Sequence, residues 1–236
     1  MKTFKVLSAL LTYPGEELAA AAVDFSATLD AEALIPTAQR LALDALIEEI
    51  ATVDVYDLQE RYGLLFDRSK TLALYLFEHV HGENRDRGQA MVDLRAMYEK
   101  SGLSIAANEL PDYLPLFLEF LSVLDIREAR ALLADTAHIL AAVSERLGRR
   151  QSSYQAVFDA LVAIAKDAPR QDAVNALLET PDIDPMDLVA LDAAWEEEEV
   201  RFGPGAQGQG ACGQESLIAR LRHARRDVSG ASSLLQ

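Results

Sequence analysis

Apolar residues recur at helical spacing along most of the chain, and the polar positions between them mark helix starts and stops. Phe4, Leu7, Leu10 and Leu11 share one face of a first helix over 2–11, stopped by Pro14-Gly15. A second helix spans 16–29, with Glu16 and Glu17 in the first turn, where the helix dipole favours acids. Thr37 is placed to cap a third, which carries Leu41, Leu43, Leu46, Ile47 and Ile50. Asp54 is placed to cap a fourth over 55–66, with Leu58, Tyr62, Leu65 and Phe66 in register. The run 72–80 is apolar almost all round, which predicts burial. Its length suits a strand or a helix; its helical neighbours favour a helix that ends at Gly82.

The pattern continues over 87–100, where Ala90, Met91, Leu94, Met97 and Tyr98 form an amphipathic stripe and Gly102 supplies the C-terminal cap. Pro111 suits the first turn of a helix to about 124, with Pro115 as a bending point in its second turn. Asp125 opens a long helix closed by Gly148, and Ser152 or Ser153 opens another that ends before Pro169. Short helices are expected over 172–178 and 186–194. The segment 202–213 holds too much glycine to pack a core and reads as a flexible linker. A last helix over 215–227 is basic, with Arg220, Arg222, Arg225 and Arg226. The expected architecture is all-α: one multi-helix domain over 1–203, then a linker and tail over 204–236.

Composition supports this reading. Apolar residues make up 50% of the chain, and alanine and leucine dominate them, a mix that favours helix over strand. The net charge of -16 argues against nucleic acid, whose phosphates need a basic surface, and suits a basic partner. Cys212 is the only cysteine, so no disulfide framework exists. The amino-terminal apolar run is short and lacks a small-residue cleavage site, and no run is long enough to span a bilayer. A cytoplasmic protein without direct membrane insertion is expected.

Candidate chemistry concentrates between Leu72 and Leu94. Glu78, His79, His81 and Glu83 are ligand types for zinc or iron, which gives a metal-dependent hydrolase as the alternative function. The spacing opposes it. Histidines two apart on one helix diverge by about 160°, and the His-Glu-x-x-His pattern of zinc proteases is absent. Only His138 and His223 remain to complete a site. No catalytic residue, metal or cofactor is assigned. Arg85 and Arg87 alternate with acids ahead of a helix, suiting either internal ion pairs or a grip on a carboxylate or phosphate. Further on, Asp112 and Glu119 are seven apart, within about 20° on a helix. They form a narrow acidic stripe between apolar faces, to be met by an internal arginine (Arg85 or Arg87) or by a cationic side chain of a bound peptide.

Several of these segments together resemble a known family. They are Tyr62-Gly-Leu-Leu-Phe-Asp67, Leu74 to Leu94, Glu109-Leu-Pro-Asp112 and Leu118-Glu-Phe-Leu121, with Leu-Leu-Thr-Tyr-Pro14 near the start and Leu191-Asp-Ala-Ala-Trp-Glu-Glu-Glu198 late. The chain resembles the nitrate reductase molybdenum-cofactor assembly chaperones (NarJ type) over about residues 1–203. The family usually carries histidine after Glu-x-Pro-Asp; here that position is Tyr113, which cannot become cationic near neutral pH.

The resemblance implies a cytoplasmic, non-enzymatic chaperone. Its partner would be the catalytic (alpha) subunit of respiratory nitrate reductase, bound through its N-terminal segment. That subunit would be held competent for molybdenum cofactor and iron–sulfur cluster insertion before membrane attachment. Molybdenum cofactor delivery proteins would be further partners. The bound segment in this family is basic, then apolar, and helical when bound. An apolar groove would take one face of it, and Glu78, Glu83, Asp112 and Glu119 would meet its basic residues. Tyr62, Phe66, His79, His81, Arg85, Arg87 and Tyr113 complete the expected peptide-binding set.

Overall fold

The structure is a computed structural model that describes residues 1–80, 85–105, 109–184, 186–187 and 189–190, with the side chains of Arg85 and Asp86 outside that description. The described residues contain ten α-helices and no strand. In chain order these are α1 (Lys2–Leu10), α2 (Glu16–Ala20), α3 (Ala22–Glu32), α4 (Thr37–Thr52), α5 (Val55–Tyr62), α6 (Arg85–Lys100), α7 (Leu114–Val123), α8 (Ile126–Arg149), α9 (Gln155–Ile164) and α10 (Gln171–Leu178). The fold is all-α, as the periodicity predicts. Among the described residues no helix is long and apolar enough to cross a membrane. The expected helix over 186–194, the linker and the basic tail fall wholly or largely outside the described residues.

The centre is the hairpin of α8 and α9. Ala129, Leu133, Ala137, Leu140, Val143 and Leu147 of α8 are buried, as are Val157, Leu161 and Ile164 of α9. α4 also packs on α9, α10 packs on α8, and α1 packs on α7. Asp125 opens α8 by accepting a hydrogen bond from the Arg127 amide at 2.8 Å, and Asp54 opens α5 in the same way from Tyr56 at 2.9 Å.

Several boundaries differ from expectation for local reasons. The expected helix 16–29 divides at Ala21 into α2 and α3, and α3 ends where Ala33 adopts a left-handed conformation (φ 48°). Thr37 is the first residue of α4, and its side chain makes no capping bond. The fourth helix continues beyond Tyr62 as a π-helical turn over Gly63–Asp67. Pro115 lies in the first turn of α7, where a missing N–H costs nothing, so it does not bend the helix. Gly148 does not close α8. A Cβ there would meet the Gln155 side chain at 2.9 Å, so the glycine permits close approach, and Gln151 makes the turn at φ 53°. The start of α1 is capped from thirty residues away: the Glu32 carboxylate accepts from the Lys2 amide at 2.7 Å and the Thr3 amide at 2.8 Å.

The largest correction concerns 72–80, which is not a helix. It is an extended loop with single 3₁₀ turns at Lys70–Leu72 and Leu76–Glu78. The Leu74 carbonyl accepts from the Leu114 amide at 2.7 Å and the Leu76 amide donates to the Asp112 carbonyl at 3.0 Å. These bonds form an isolated antiparallel bridge between Tyr75 and Tyr113. A buried backbone must find partners somewhere, and here they lie near the start of α7 instead of four residues away. The loop is also tied to α8. Buried Arg146 donates to the Thr71 carbonyl at 3.1 Å, and to the carbonyls of Leu177 (2.6 Å) and Thr180 (3.1 Å) beyond it. Arg150 pairs with Asp182 at 2.5 Å, and Thr71 donates to the same carboxylate at 2.6 Å.

The glycine-rich composition of 202–213 places the end of the domain at about 203. Removal of 205–236 is therefore expected to leave a single cooperative thermal transition, with a midpoint close to that of the full chain, read by circular dichroism. A broad or non-cooperative transition would contradict the division at about 204.

Candidate functional site

The bridge between loop 73–78 and the turn before α7 places most of the expected residues. Asp112 is fully buried. One carboxylate oxygen accepts from the Phe77 amide at 3.0 Å, and the other has no hydrogen-bond partner. The Tyr98 hydroxyl donates to the neighbouring Pro111 carbonyl at 2.6 Å and fixes the turn against α6. Burial raises the Asp112 pKa to about 6; the Phe77 amide and the Arg87 charge act against this, and the nearby Glu78 adds to it. Arg87 is itself paired with Glu78, which is exposed at the loop edge, at 3.4 Å.

Glu119 stands apart. It lies on the exposed side of α7, and Asp112 precedes that helix by two residues. The expected acidic stripe is therefore not formed: one acid is a buried loop anchor and the other faces solvent. Leu114, Phe117, Phe120 and Leu121 of α7 are buried.

His79 is held by the loop. Its Nε2 lies 2.8 Å from the Ala73 carbonyl, so that nitrogen carries the proton and donates. Burial lowers its pKa to about 4, against the opposing effect of that hydrogen bond, so the ring is neutral at ordinary pH. No group of three or more metal-ligating side chains occurs among the described residues. His81 and Glu83 lie outside the described residues, as does the Arg85 side chain.

Tyr113 is half-buried, and its ring lies 5.4 Å from that of Tyr75. Burial raises its pKa, so it is a neutral phenol at ordinary pH. Tyr62 is buried, donates to the Leu11 carbonyl at 2.9 Å, and packs on Phe66 with ring centroids 4.9 Å apart. The phenols of Tyr62 and Tyr113 are close enough to perturb each other's ionisation. The structure thus brings Tyr62, Phe66, Glu78, His79, Arg87, Asp112 and Tyr113 around one loop and leaves Glu119 on a separate face. Sequence reasoning missed Tyr75, whose hydroxyl donates to Glu109 at 3.1 Å, and Tyr13, which packs edge-on to Tyr62 at 5.5 Å. The signal for Tyr75 was its place in an apolar run that a helix assignment had hidden.

A family model described as "Nitrate reductase delta subunit" matches residues 19–160. The chain belongs to the nitrate reductase delta subunit family. Individual relatives agree. The chain is 42% identical over 219 residues to the nitrate reductase molybdenum cofactor assembly chaperone NarJ of Escherichia coli strain K12, covering 92% of this chain and 90% of that protein. It is 43% identical over 202 residues to the probable chaperone of the same kind named NarW from that strain, covering 86% and 84% of the two chains. A probable NarJ of Bacillus subtilis strain 168 is 31% identical over 180 residues, covering 75% of this chain and 95% of that one. The matched segment of the delta-subunit family runs from α2 into α9 and includes the whole Tyr75–Tyr113 bridge. These relatives are named as assembly chaperones. The names give no support to the hydrolase reading of Glu78, His79, His81 and Glu83.

Proposed function

We propose that this chain is a cytoplasmic chaperone for molybdenum cofactor assembly of respiratory nitrate reductase. In this reading it binds the N-terminal segment of the apo catalytic subunit and keeps it competent for molybdenum cofactor and iron–sulfur cluster insertion before membrane attachment. The observation that carries the reading is the 42% identity over 92% of the chain to the E. coli chaperone. The loop built on the Tyr75–Tyr113 bridge supports it. The loop presents aromatic rings beside the exposed acids Glu78 and Glu109, on a chain of net charge -16, which suits a basic, amphipathic helix laid against it. His81, Glu83 and Arg85 enter this reading from the sequence alone. Direct contact with molybdenum cofactor delivery proteins is a further part of the proposal.

The test is titration of the purified chain with a peptide copied from the N-terminus of the nitrate reductase catalytic subunit, against a scrambled peptide of the same composition. Binding of the first well above the second is expected; equal binding would refute the reading. Glu119→Lys gives a second measurement. Its exposure predicts an unchanged melting temperature. If the peptide's basic end reaches α7, affinity falls about twofold to fivefold at low salt, because an exposed charge contact is worth under about 1 kcal/mol. The loss is expected to shrink as salt is raised. An unchanged affinity at low salt would remove Glu119 from the binding face.

A further inference from the structure

Four tyrosines from four separate segments form one continuous strip. Tyr13 follows α1 and meets Tyr62 of α5 edge-on, with centroids 5.5 Å apart. The Tyr62 phenol neighbours that of Tyr113, and the Tyr113 ring lies 5.4 Å from Tyr75. Acids stand at both sides. The Tyr75 hydroxyl donates to Glu109 at 3.1 Å, and Asp67 is close enough to raise the pKa of both Tyr62 and Tyr113. Asp67 and Glu109 are exposed, and neither has an ion-pair partner among the described residues. Tyr13 is 57% exposed, an unusual position for a large aromatic that also makes an ordered ring contact.

A phenol that donates its proton to a carboxylate or a carbonyl has a more electron-rich ring face. Such faces, flanked by unpaired acids, attract a guanidinium or ammonium group within about 6 Å of the ring centroid. Tyr62 is buried and serves as the link, so side chains of a bound segment are received at the exposed Tyr13 and at the half-buried Tyr75–Tyr113 pair. The bridge bonds between residues 74–76 and 112–114 fix Tyr75 and Tyr113 in place before any ligand arrives.

Resting on the chaperone reading above, we propose that this tyrosine strip, with Asp67 and Glu109, is where the arginine or lysine side chains of a bound peptide are recognised. The site selects for cationic charge, and the neighbouring apolar surface selects for shape. Tyr13, at its exposed end, is the specificity-determining residue most open to test.

The experiment uses the full chain and the N-terminal peptide of the catalytic subunit in two forms. One keeps its arginines and lysines; the other carries citrulline and norleucine in their places. Tyr13→Leu keeps apolar bulk and removes the ring face, whereas Tyr13→Phe keeps the face. The leucine variant is expected to weaken binding of the cationic form by about threefold to tenfold and of the neutral form by less than about twofold, and the phenylalanine variant to bind like the native chain. Equal losses for both peptide forms, or no loss, would overturn the proposal, and retained melting temperatures guard against misfolding. The parent reading fails separately, when native and scrambled sequences bind equally. The strip is then still decided by the cationic-against-neutral difference on either sequence, and binding of neither sequence overturns both proposals.

Discussion

Replacing Arg146 by alanine is expected to destabilise the protein by about 3–5 kcal/mol, the cost of taking a shared donor from three carbonyls. Arg146 is 2% exposed and donates to the carbonyls of Thr71, Leu177 and Thr180. Removing it leaves these acceptors without their donor, and each buried orphan costs about 1–3 kcal/mol. A chain of this size loses about 2–4 °C of melting temperature per kcal/mol, so a fall of roughly 10 °C is expected in a thermal melt. Methionine would not rescue the loss, because it fills volume but supplies no donor to the three carbonyls. Lysine would recover only part of it, since a point charge cannot span acceptors that a planar fork reaches together. A melting temperature within about 2 °C of the native value for Arg146→Ala would show that the network contributes little.

Asp112→Asn is expected to change how stability depends on pH. The folded chain holds Asp112 near pKa 6 against an ordinary 3.8, chiefly because the carboxyl is buried. Between about pH 4 and pH 6 the folded state therefore binds more protons than the unfolded state, and stability falls as pH rises through that window. The stabilising contribution is complete below about pH 4 and is lost above about pH 6. His79 acts in the opposite sense: its pKa is lowered from 6.5 to about 4, so its contribution is present above about pH 6.5 and lost as pH falls. The two offset one another in the native chain, and comparison with the variant isolates Asp112. Asparagine keeps an oxygen to accept from Phe77 and carries no charge to desolvate. Relative to Asp112→Asn, the native chain should lose up to about 3 kcal/mol between pH 4 and pH 7. Urea unfolding of both proteins at three pH values measures this, and parallel profiles would contradict it.

Helices with a clear apolar stripe were legible in the sequence, since α1, α4, α6, α8, α9 and α10 follow from spacing and turn residues. The run 72–80 was not, because an apolar segment without period carries no information about its partners. Its hydrogen bonds go to Asp112 and Leu114, nearly forty residues away. The same nonlocal pairing decided the acids. Asp112 and Glu119 share a face only if one helix includes both, and α7 begins at Leu114. Arg146 was legible and overlooked: Ile139, Ala142, Val143 and Arg146 occupy one stripe at helical spacing, so the arginine stands at a core position. Tyr13 and Tyr75 needed the fold, because nothing local says that residues 13, 62, 75 and 113 share a strip.

The knot of Thr71, Arg146, Arg150 and Asp182 has a consequence in time. Synthesis runs from the amino terminus, so residues 69–80 emerge long before their anchor on α8 and longer still before Asp182, which lies 111 residues beyond Thr71. Until then the carboxylate that Thr71 and Arg150 share is not yet part of the chain. The tie between this loop and α8 is complete only when Asp182 has left the ribosome. The loop therefore gains its restraints in two stages during synthesis, first the bridge to residues 112–114 and much later the anchor through Asp182.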